Sequence, residues 1–194
     1  MEGASFSLIV KDVHNGETVF AYDTLRQLTP ASVMKTVTTA TALEILGEDY
    51  RFPTTLAYDG SIEKGLLKGN LYIKGSGDPS LGSAHFAPYH KRFLQEWISA
   101  LKKVGIHKIQ GAVIADESIF DTEGTSFKWV GEDMGSYYGA GSYGLCVFDN
   151  LYKLGLQTGA PGSRPKLKGT EPELSGIHFH NYLTAQQVSS DSSF

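Results

Sequence analysis

Short runs of β-branched and aromatic residues open the chain and predict a hairpin. These runs occupy residues 5–10 and 18–22. The Asn15-Gly16 pair between them is typical of a type I′ turn, because both central residues of that turn require a positive φ. We therefore expect two antiparallel strands that are joined by a two-residue turn.

A helix is predicted soon after this hairpin. Thr29 can cap it, Pro30 suits its first turn, and Gly47 is a typical stop. The segment is apolar or small on almost every side, and four threonines between 36 and 41 are the main exceptions. A helix that is apolar all round needs cover on every face, so we expect it to be buried in the centre of a domain.

The pattern changes after Tyr50, which favours a boundary near residue 50 and an α+β unit beyond it. Hydrophobic periodicity and turn residues define the elements of this second unit. In chain order we expect strands at 54–58 and 66–74 around an Asp59-Gly60 turn, a helix within 86–104 that ends at Gly105, a strand at 108–115, a glycine-rich loop at 120–144, and strands at 145–148 and 177–183.

Composition narrows the class of protein. The 194 residues are 41% hydrophobic and 20% charged, which is typical of a globular chain with a core of its own. Lys and Arg number 17 against 21 acidic residues, so nucleic-acid binding has little electrostatic support. The single cysteine, Cys146, excludes an internal disulfide, and the six scattered histidines show no zinc-ligand spacing. The sequence contains neither a membrane-spanning run nor the regions of a signal peptide.

Four S-x-x-K sequences occur, and only one lies where it could serve catalysis. Ser61, Ser99 and Ser163 belong to a hairpin, a solvated helix face and a Pro/Gly loop. Ser32 lies in the first predicted turn of the apolar helix, where free N–H groups and partial positive charge are available, and Lys35 shares its face. A lysine in a buried site has a lowered pKa and can act as a general base toward a serine. From the pattern alone, a capping serine beside an outward-pointing lysine is an equal alternative.

The residues around this motif, and several later segments, are similar to those of a known protein family. Pro30-Ala31-Ser32-Val33-Met34-Lys35 is followed by Thr38-Thr39-Ala40. Further similar segments are GNLYIKGSGDPSL at 69–81, GAVIAD at 111–116, SIF at 118–120 and WVGEDM at 129–134. In this order they resemble the serine D-Ala-D-Ala carboxypeptidases and endopeptidases of the class C low-molecular-mass penicillin-binding proteins. The resemblance runs, with gaps, from about residue 5 to the C-terminus.

The resemblance implies an α/β fold of the transpeptidase-like, or β-lactamase-like, kind with a central active-site helix. Residues 1–50 would be the N-terminal part of the catalytic domain, and residues 51–194 an inserted α+β region. The family's S-x-N and K-T-G motifs do not occur in the chain. Since the family places both after the insertion, we expect them in a C-terminal remainder, and we expect residues 1–194 alone to lack a complete catalytic site.

The same resemblance implies the catalytic pair. Ser32 would attack the penultimate D-Ala carbonyl of a peptidoglycan stem peptide, or the ring of a β-lactam inhibitor, with Lys35 as its base. Water would then release the acyl-enzyme, and backbone N–H groups would hold the oxyanion. No metal or organic cofactor is implied, and the expected location is periplasmic or otherwise extracytoplasmic.

A substrate-binding set is implied in the inserted region. Asp133 and Tyr138, with Trp129 beside them, would hold the free end of the diamino-acid side chain of the peptide. A carboxylate suits the ammonium group, and an aromatic wall suits the methylenes. Glu132 is an alternative to Asp133, and an exposed loop whose aromatic residues pack within the insertion is an alternative to any binding role.

Two other functions stay open at the level of the sequence. One is a β-lactamase-type hydrolase of the same fold, which would need a deacylating base elsewhere. The other is a non-catalytic, peptidoglycan-binding or penicillin-binding-like module, in which the Ser32–Lys35 pair is a relic.

Overall fold

The computed structural model describes residues 3–86, 92–121, 123–134 and 136–187, and for Glu132 only the backbone. His90, the Glu132 side chain and the last seven residues therefore lie outside the described part of the chain, as does part of the helix predicted within 86–104. The chain contains both helices and strands, and it divides into two compact units, Met1–Arg51 and Phe52–Phe194. The α/β class is confirmed at this level.

The first unit begins with the predicted hairpin, but its turn differs. Strand β1 (Leu8–Lys11) pairs antiparallel with β2 (Thr18–Tyr22). The Asp12 N–H donates to the Glu17 carbonyl over 2.9 Å, which closes a longer loop in which Gly16 alone has a positive φ, of +74°. The predicted type I′ turn at residues 15–16 is therefore wrong, because side chains of the loop bind its own backbone N–H groups instead.

Helix α1 (Met34–Leu46) follows and ends where predicted. Gly47, with φ of +81°, donates its N–H to the Leu43 carbonyl over 2.9 Å. The predicted burial is wrong for this unit, since no residue of α1 is buried and Val37 is 61% exposed. The physical reason is the size of the unit: its other regular elements are a two-stranded hairpin and a single 3₁₀ turn, which cannot cover a helix on every face.

Two three-stranded sheets form the centre of the second unit. In the first sheet, the middle strand pairs antiparallel with one neighbour and parallel with the other, and the second sheet repeats this arrangement. The first sheet has the order β3 (Thr55–Tyr58), β6 (Leu71–Lys74), β8 (Val113–Asp116), and the second has the order β4 (Ser61–Glu63), β5 (Leu66–Lys68), β7 (Lys108–Ile109).

Three runs of the chain pass from one sheet into the other, and each run bends where it crosses between them. Asp59 Oδ1 accepts the backbone N–H of Asn70 over 2.6 Å, and Asp59 Oδ2 accepts the Tyr72 hydroxyl over 2.8 Å. Asn70 Oδ1 accepts the N–H of Ala112 over 2.9 Å, so one polar network links all three runs. Neighbouring backbones approach so closely here that a Cβ would overlap them at Gly60, Gly69 and Gly111.

Asp59-Gly60, which was predicted as a turn, is therefore a bend at which the chain continues from β3 into β4. The chain reverses its direction further on. Glu63 pairs with Leu66, and the two residues between them, Lys64 and Gly65, have φ of +50° and +85°. This is the hairpin geometry of positive φ at both central positions. Local turn chemistry placed the reversal five residues too early.

Helix α2 (Phe93–Lys103) ends at the predicted glycine. The Gly105 N–H donates to the Lys102 carbonyl over 3.0 Å, and the Ile106 N–H donates to the Leu101 carbonyl over 2.9 Å. These two bonds form a Schellman motif, so the stop at Gly105 is confirmed. The buried apolar residues of the described chain are Leu67, Leu71, Leu81, Phe93, Ile106, Cys146 and Ala185.

The last part of the chain differs most from the prediction. A hairpin of β9 (Lys153–Gln157) and β10 (Lys166–Glu171) is present but was not predicted. The strands predicted at 145–148 and 177–183 are wrong: Leu145 forms one isolated bridge to Asp78, and residues 177–183 form no strand. Within the described ranges, no helix is both long and apolar enough to cross a membrane.

Candidate active site

Ser32 lies in a 3₁₀ turn immediately before α1. This turn, Ala31–Val33, follows Pro30, whose carbonyl accepts the Val33 N–H over 3.1 Å. Ala31 has φ of +42°, so the chain enters the helix through an unusual backbone conformation. Ser32 is therefore one 3₁₀ turn ahead of the α-helix rather than inside its first turn, and Thr29 does not cap it.

Lys35 is the second residue of α1, three residues after Ser32. Both residues are exposed, and neither side chain makes a hydrogen bond within the described residues. The structure thus brings them to the same end of one helix without joining Oγ to Nζ. Catalytic hydrogen bonds are often long or unformed before substrate is bound, so this geometry is compatible with a nucleophile and base.

Two of the four threonines of α1 donate hydrogen bonds to carbonyls of the helix itself. Thr39 Oγ1 donates to the Lys35 carbonyl over 2.8 Å, and Thr38 Oγ1 donates to the Met34 carbonyl over 3.3 Å. Such back-bonding lets a hydroxyl side chain lie on a helix face without a partner from another element. Thr38 and Thr39 are both exposed, and the acceptors of their hydroxyl groups are carbonyls of α1 rather than groups of another element.

Asp133 and Tyr138 are brought together by two short 3₁₀ turns. Asp133 ends the turn Gly131–Asp133, and Tyr138 lies in the turn Tyr137–Gly139. The Tyr138 hydroxyl donates to Asp133 Oδ1 over 3.1 Å. Tyr138 is 62% exposed, and its ring makes an edge-to-face contact with the Tyr137 ring at a centroid distance of 5.2 Å. No hydrogen bond within the described residues occupies Asp133 Oδ2.

Trp129 lies in a shallow cleft of about 480 Å³ rather than on Asp133. Met134, the chain neighbour of Asp133, lines the same cleft, so the carboxylate and the indole lie in adjacent parts of one loop region. Sequence reasoning missed most of this lining, for which the alternation of glycine and aromatic residues was the only signal. The lining residues are Glu123, Gly124, Thr125, Ser126, Phe127, Trp129, Met134 and Tyr143.

The carboxyl groups whose pKa values are shifted lie outside this loop, in or next to the sheets of the second unit. The backbone N–H of Asn70, followed by the Tyr72 hydroxyl and the Asn70 side chain, lowers the pKa of Asp59. The same Asp59 hydrogen bond raises the pKa of Tyr72. The hydroxyl and N–H of Ser118 lower the pKa of Asp116. Within the described residues, no group of three or more His, Cys, Asp or Glu side chains is arranged to hold a metal ion.

Comparison with curated proteins gives two informative relatives. A D-alanyl-D-alanine carboxypeptidase of Actinomadura sp. is 33% identical over 147 residues, which are 76% of this chain and 26% of that protein. The D-alanyl-D-alanine carboxypeptidase DacB of Haemophilus influenzae is 29% identical over 133 residues, which are 69% of this chain and 26% of that protein. The chain thus spans about a quarter of the length of these relatives.

Solved structures give the same result for the fold. Penicillin binding protein 4 (dacB) from Haemophilus influenzae superposes with a TM-score of 0.68 at 28% identity, over 82% of this chain and 34% of that chain. A second structure of that protein, complexed with a novel β-lactam, superposes with a TM-score of 0.61 at 26% identity, over 86% of this chain and 32% of that chain.

A family comparison covers almost the whole sequence. Residues 1–193 match the D-Ala-D-Ala carboxypeptidase 3 (S13) family. This match, the two curated relatives and the structural similarity confirm the resemblance to low-molecular-mass penicillin-binding proteins. The chain belongs to the D-Ala-D-Ala carboxypeptidase 3 (S13) family.

Proposed function

We propose that the protein is a penicillin-binding, serine-type D-Ala-D-Ala carboxypeptidase or endopeptidase that acts on peptidoglycan stem peptides. The observation that carries the proposal is the S-x-x-K sequence of Ser32 and Lys35 at the start of α1, in a chain that matches the family over residues 1–193. Acting on peptidoglycan requires an extracytoplasmic location, periplasmic where an outer membrane is present.

The proposed reaction is acyl transfer. Ser32 Oγ attacks the carbonyl carbon of the penultimate D-Ala while its proton passes to Lys35 Nζ. The peptide C–N bond then breaks, and the leaving amine takes that proton. Water hydrolyses the resulting ester and regenerates Ser32. A β-lactam ring offers the same kind of carbonyl, so β-lactams would acylate Ser32 and act as inhibitors.

The recognition set would be Asp133, Tyr138 and Trp129. A carboxylate paired with a tyrosine hydroxyl at 3.1 Å offers a fixed negative group to the ammonium of a diamino-acid side chain. The exposed Tyr138 ring and the Trp129 cleft offer apolar surface to its methylenes. This arrangement suits a substrate that is positively charged at one end and apolar behind the charge.

We also propose the domain assignment that the resemblance implies. Residues 1–50 would belong to a transpeptidase-like catalytic domain, and residues 51–194 to an α+β insertion within it. The exposed apolar faces of α1 support this assignment, because a central active-site helix needs neighbouring elements to cover it. The compact second unit, which has its own core, is consistent with an insertion that folds as a body of its own.

Release of D-Ala tests the proposed activity. A form of the protein that spans the length of its relatives is incubated with a stem peptide that ends in D-Ala-D-Ala, and free D-Ala is measured. We expect release that Ser32→Ala abolishes. Ser99→Ala is the matched control, because Ser99 belongs to another S-x-x-K sequence on an exposed face of α2, and it should leave the rate unchanged. Undiminished release from the Ser32→Ala protein would overturn the assignment.

A further inference from the structure

The segment Phe148–Asn150 is a strained left-handed turn beside the recognition loop, which is the loop that carries Trp129, Asp133, Tyr138 and Tyr143. Its three residues have φ of +53°, +59° and +53°, which is unusual for a run without glycine. Such conformations persist where the surrounding contacts fix them. The Phe148 N–H donates to the Leu81 carbonyl over 2.8 Å, and the Phe148 ring contacts the buried Phe93 ring edge-on at 5.7 Å. One end of the turn is therefore anchored in the core.

The other end of the turn holds the recognition loop through one side chain. Asn150 Nδ2 donates to the Gly141 carbonyl over 2.8 Å and to Cys146 Sγ over 3.2 Å. Cys146 Sγ accepts the Tyr143 N–H over 3.4 Å and donates to the Tyr143 carbonyl over 3.2 Å. The Asn150 amide thus fixes the backbone of residues 141–146 directly at one point and through the thiol at another.

This backbone carries one wall of the Trp129 cleft. Tyr143 lines the cleft, and its ring packs so closely against Gly124 and Gly141 that a Cβ on either glycine would collide with it. The Ser142 N–H donates to the Gly124 carbonyl over 2.8 Å, which joins the two glycine segments. The position of the Tyr143 ring therefore depends on the position of Gly141, which Asn150 holds.

We infer that Asn150 is a positioning residue for substrate specificity: its side-chain amide sets the Tyr143 wall of the Trp129 cleft, and so the affinity for the diamino-acid side chain of the peptide. The inference rests on the proposed function, because it takes the cleft as the place where that side chain binds. Asn150 touches no substrate in this account and acts only through Gly141, Cys146 and Tyr143.

Two variants separate the amide from the turn that carries it. Asn150→Gly removes the amide and keeps a residue that adopts a positive φ without strain. Asp149→Gly is the matched control, because it makes the same backbone change one position earlier and removes a side chain that makes no hydrogen bond within the described residues. Only the first variant should alter the cleft.

Nuclear magnetic resonance titration of the ¹⁵N-labelled 194-residue chain provides the readout. The chain has two tryptophans, so the Trp129 indole N–H reports on the cleft and the Trp97 indole N–H, next to the Phe93 ring, reports on the core. The probes are a stem peptide with a free side-chain amino group on its diamino acid and the same peptide with that group acetylated. We expect the unsubstituted chain and Asp149→Gly to prefer the free amine.

Asn150→Gly should weaken binding of the free-amine peptide about 10-fold and reduce the preference, with the Trp97 signal unchanged. Wild-type affinity and preference in Asn150→Gly would overturn the inference. If that variant loses the native Trp97 signal, Asn150→Asp takes its place, since it also lacks the Nδ2 donor and tolerates the left-handed turn; wild-type preference there would equally overturn the inference. No preference in the unsubstituted chain would overturn the recognition proposal itself, and the inference with it.

Discussion

The two compact units differ in how far they bury their apolar residues. In the described residues of Met1–Arg51 no side chain is buried, and even Val37 on α1 and Phe20 on β2 are 61% and 52% exposed. In Phe52–Phe194, Leu67 is fully buried and Phe93 is 3% exposed. A pattern of apolar residues thus indicates that these residues need to be packed against others. It does not indicate whether the residues of this chain supply that packing.

The proposed catalytic residues and the proposed recognition residues also belong to different units. Ser32 and Lys35, the proposed nucleophile and base, belong to the unit without a buried core, whereas Asp133, Tyr138 and Trp129 belong to the unit that has one. Substitutions of Ser32 or Lys35 should therefore affect acylation by every substrate. Substitutions in the second unit should affect either folding or the choice of substrate, according to whether the residue is buried or lies in the recognition loop.

The largest expected effect is on stability. Leu67→Ala removes a fully buried side chain from β5 and should lower the free energy of unfolding by about 2 to 5 kcal/mol. Val37→Ala, the matched control on the exposed α1, should change it by no more than about 0.5 kcal/mol. Urea unfolding of the 194-residue chain measures both. Equal losses would show that α1 is packed in solution as tightly as the sheet.

The next effect concerns the proposed base. Lys35→Arg keeps the positive charge, but a guanidinium stays protonated and cannot accept the Ser32 proton. Acylation by a fluorescent penicillin should slow by about 10²-fold in a form of the protein that spans the length of its relatives. Lys102→Arg, in the S-x-x-K sequence on α2, is the control and should acylate normally. Near-normal acylation of Lys35→Arg would mean that another group activates the serine.

A smaller and more selective effect is expected at Asp133. Asp133→Ala should weaken binding of a peptide with a free diamino-acid side chain by roughly 5- to 150-fold, while acylation by a simple β-lactam changes little. Tyr138→Phe removes only the hydroxyl that donates to Asp133 and should cause a smaller loss. Equal losses for peptide and β-lactam would mean that Asp133 acts on folding instead. No loss at all would mean that Glu132 is the acidic contact or that the loop makes no acidic contact with the substrate.

The smallest effect is a change in acid stability at the sheet bend. Since the Asn70 N–H and the Tyr72 hydroxyl lower the pKa of Asp59 in the folded chain, its stabilisation is complete above the unfolded value, about 3.9. It is lost as the pH falls through the lower folded value. Asp59→Asn should therefore destabilise the chain at pH 7 and differ less from wild type near pH 2. Asp49→Asn is the exposed control, and urea unfolding at both pH values is the measurement.

Features determined by neighbouring residues in the chain could be predicted from the sequence. The ends of α1 and α2 at Gly47 and Gly105 were correct, because a left-handed glycine after a helix is a local requirement. The pairing of β1 with β2 was correct for the same reason, since two β-rich runs separated by a short polar segment have few other arrangements.

Features determined by distant residues could not be predicted. Asp59-Gly60 has the composition of a turn, yet Asn70 and Tyr72 hold it in a bend between two sheets. The chain instead reverses at Lys64-Gly65, a pair that lacks the Asn or Asp usually found in such a turn. In the same way, no spacing rule places Asn150 on Gly141, because this contact depends on how irregular loop segments pack. Tyr138 and Asp133 were grouped by the family resemblance, and no spacing rule would have paired them.

The location of a penicillin adduct identifies the nucleophile of the protein. A form of the protein that spans the length of its relatives is treated with penicillin, digested, and mapped by mass spectrometry. We expect one acyl group, carried by the peptide that contains Ser32, and no adduct in the Ser32→Ala protein. An adduct on any other residue, or an unchanged adduct in Ser32→Ala, would contradict this expectation.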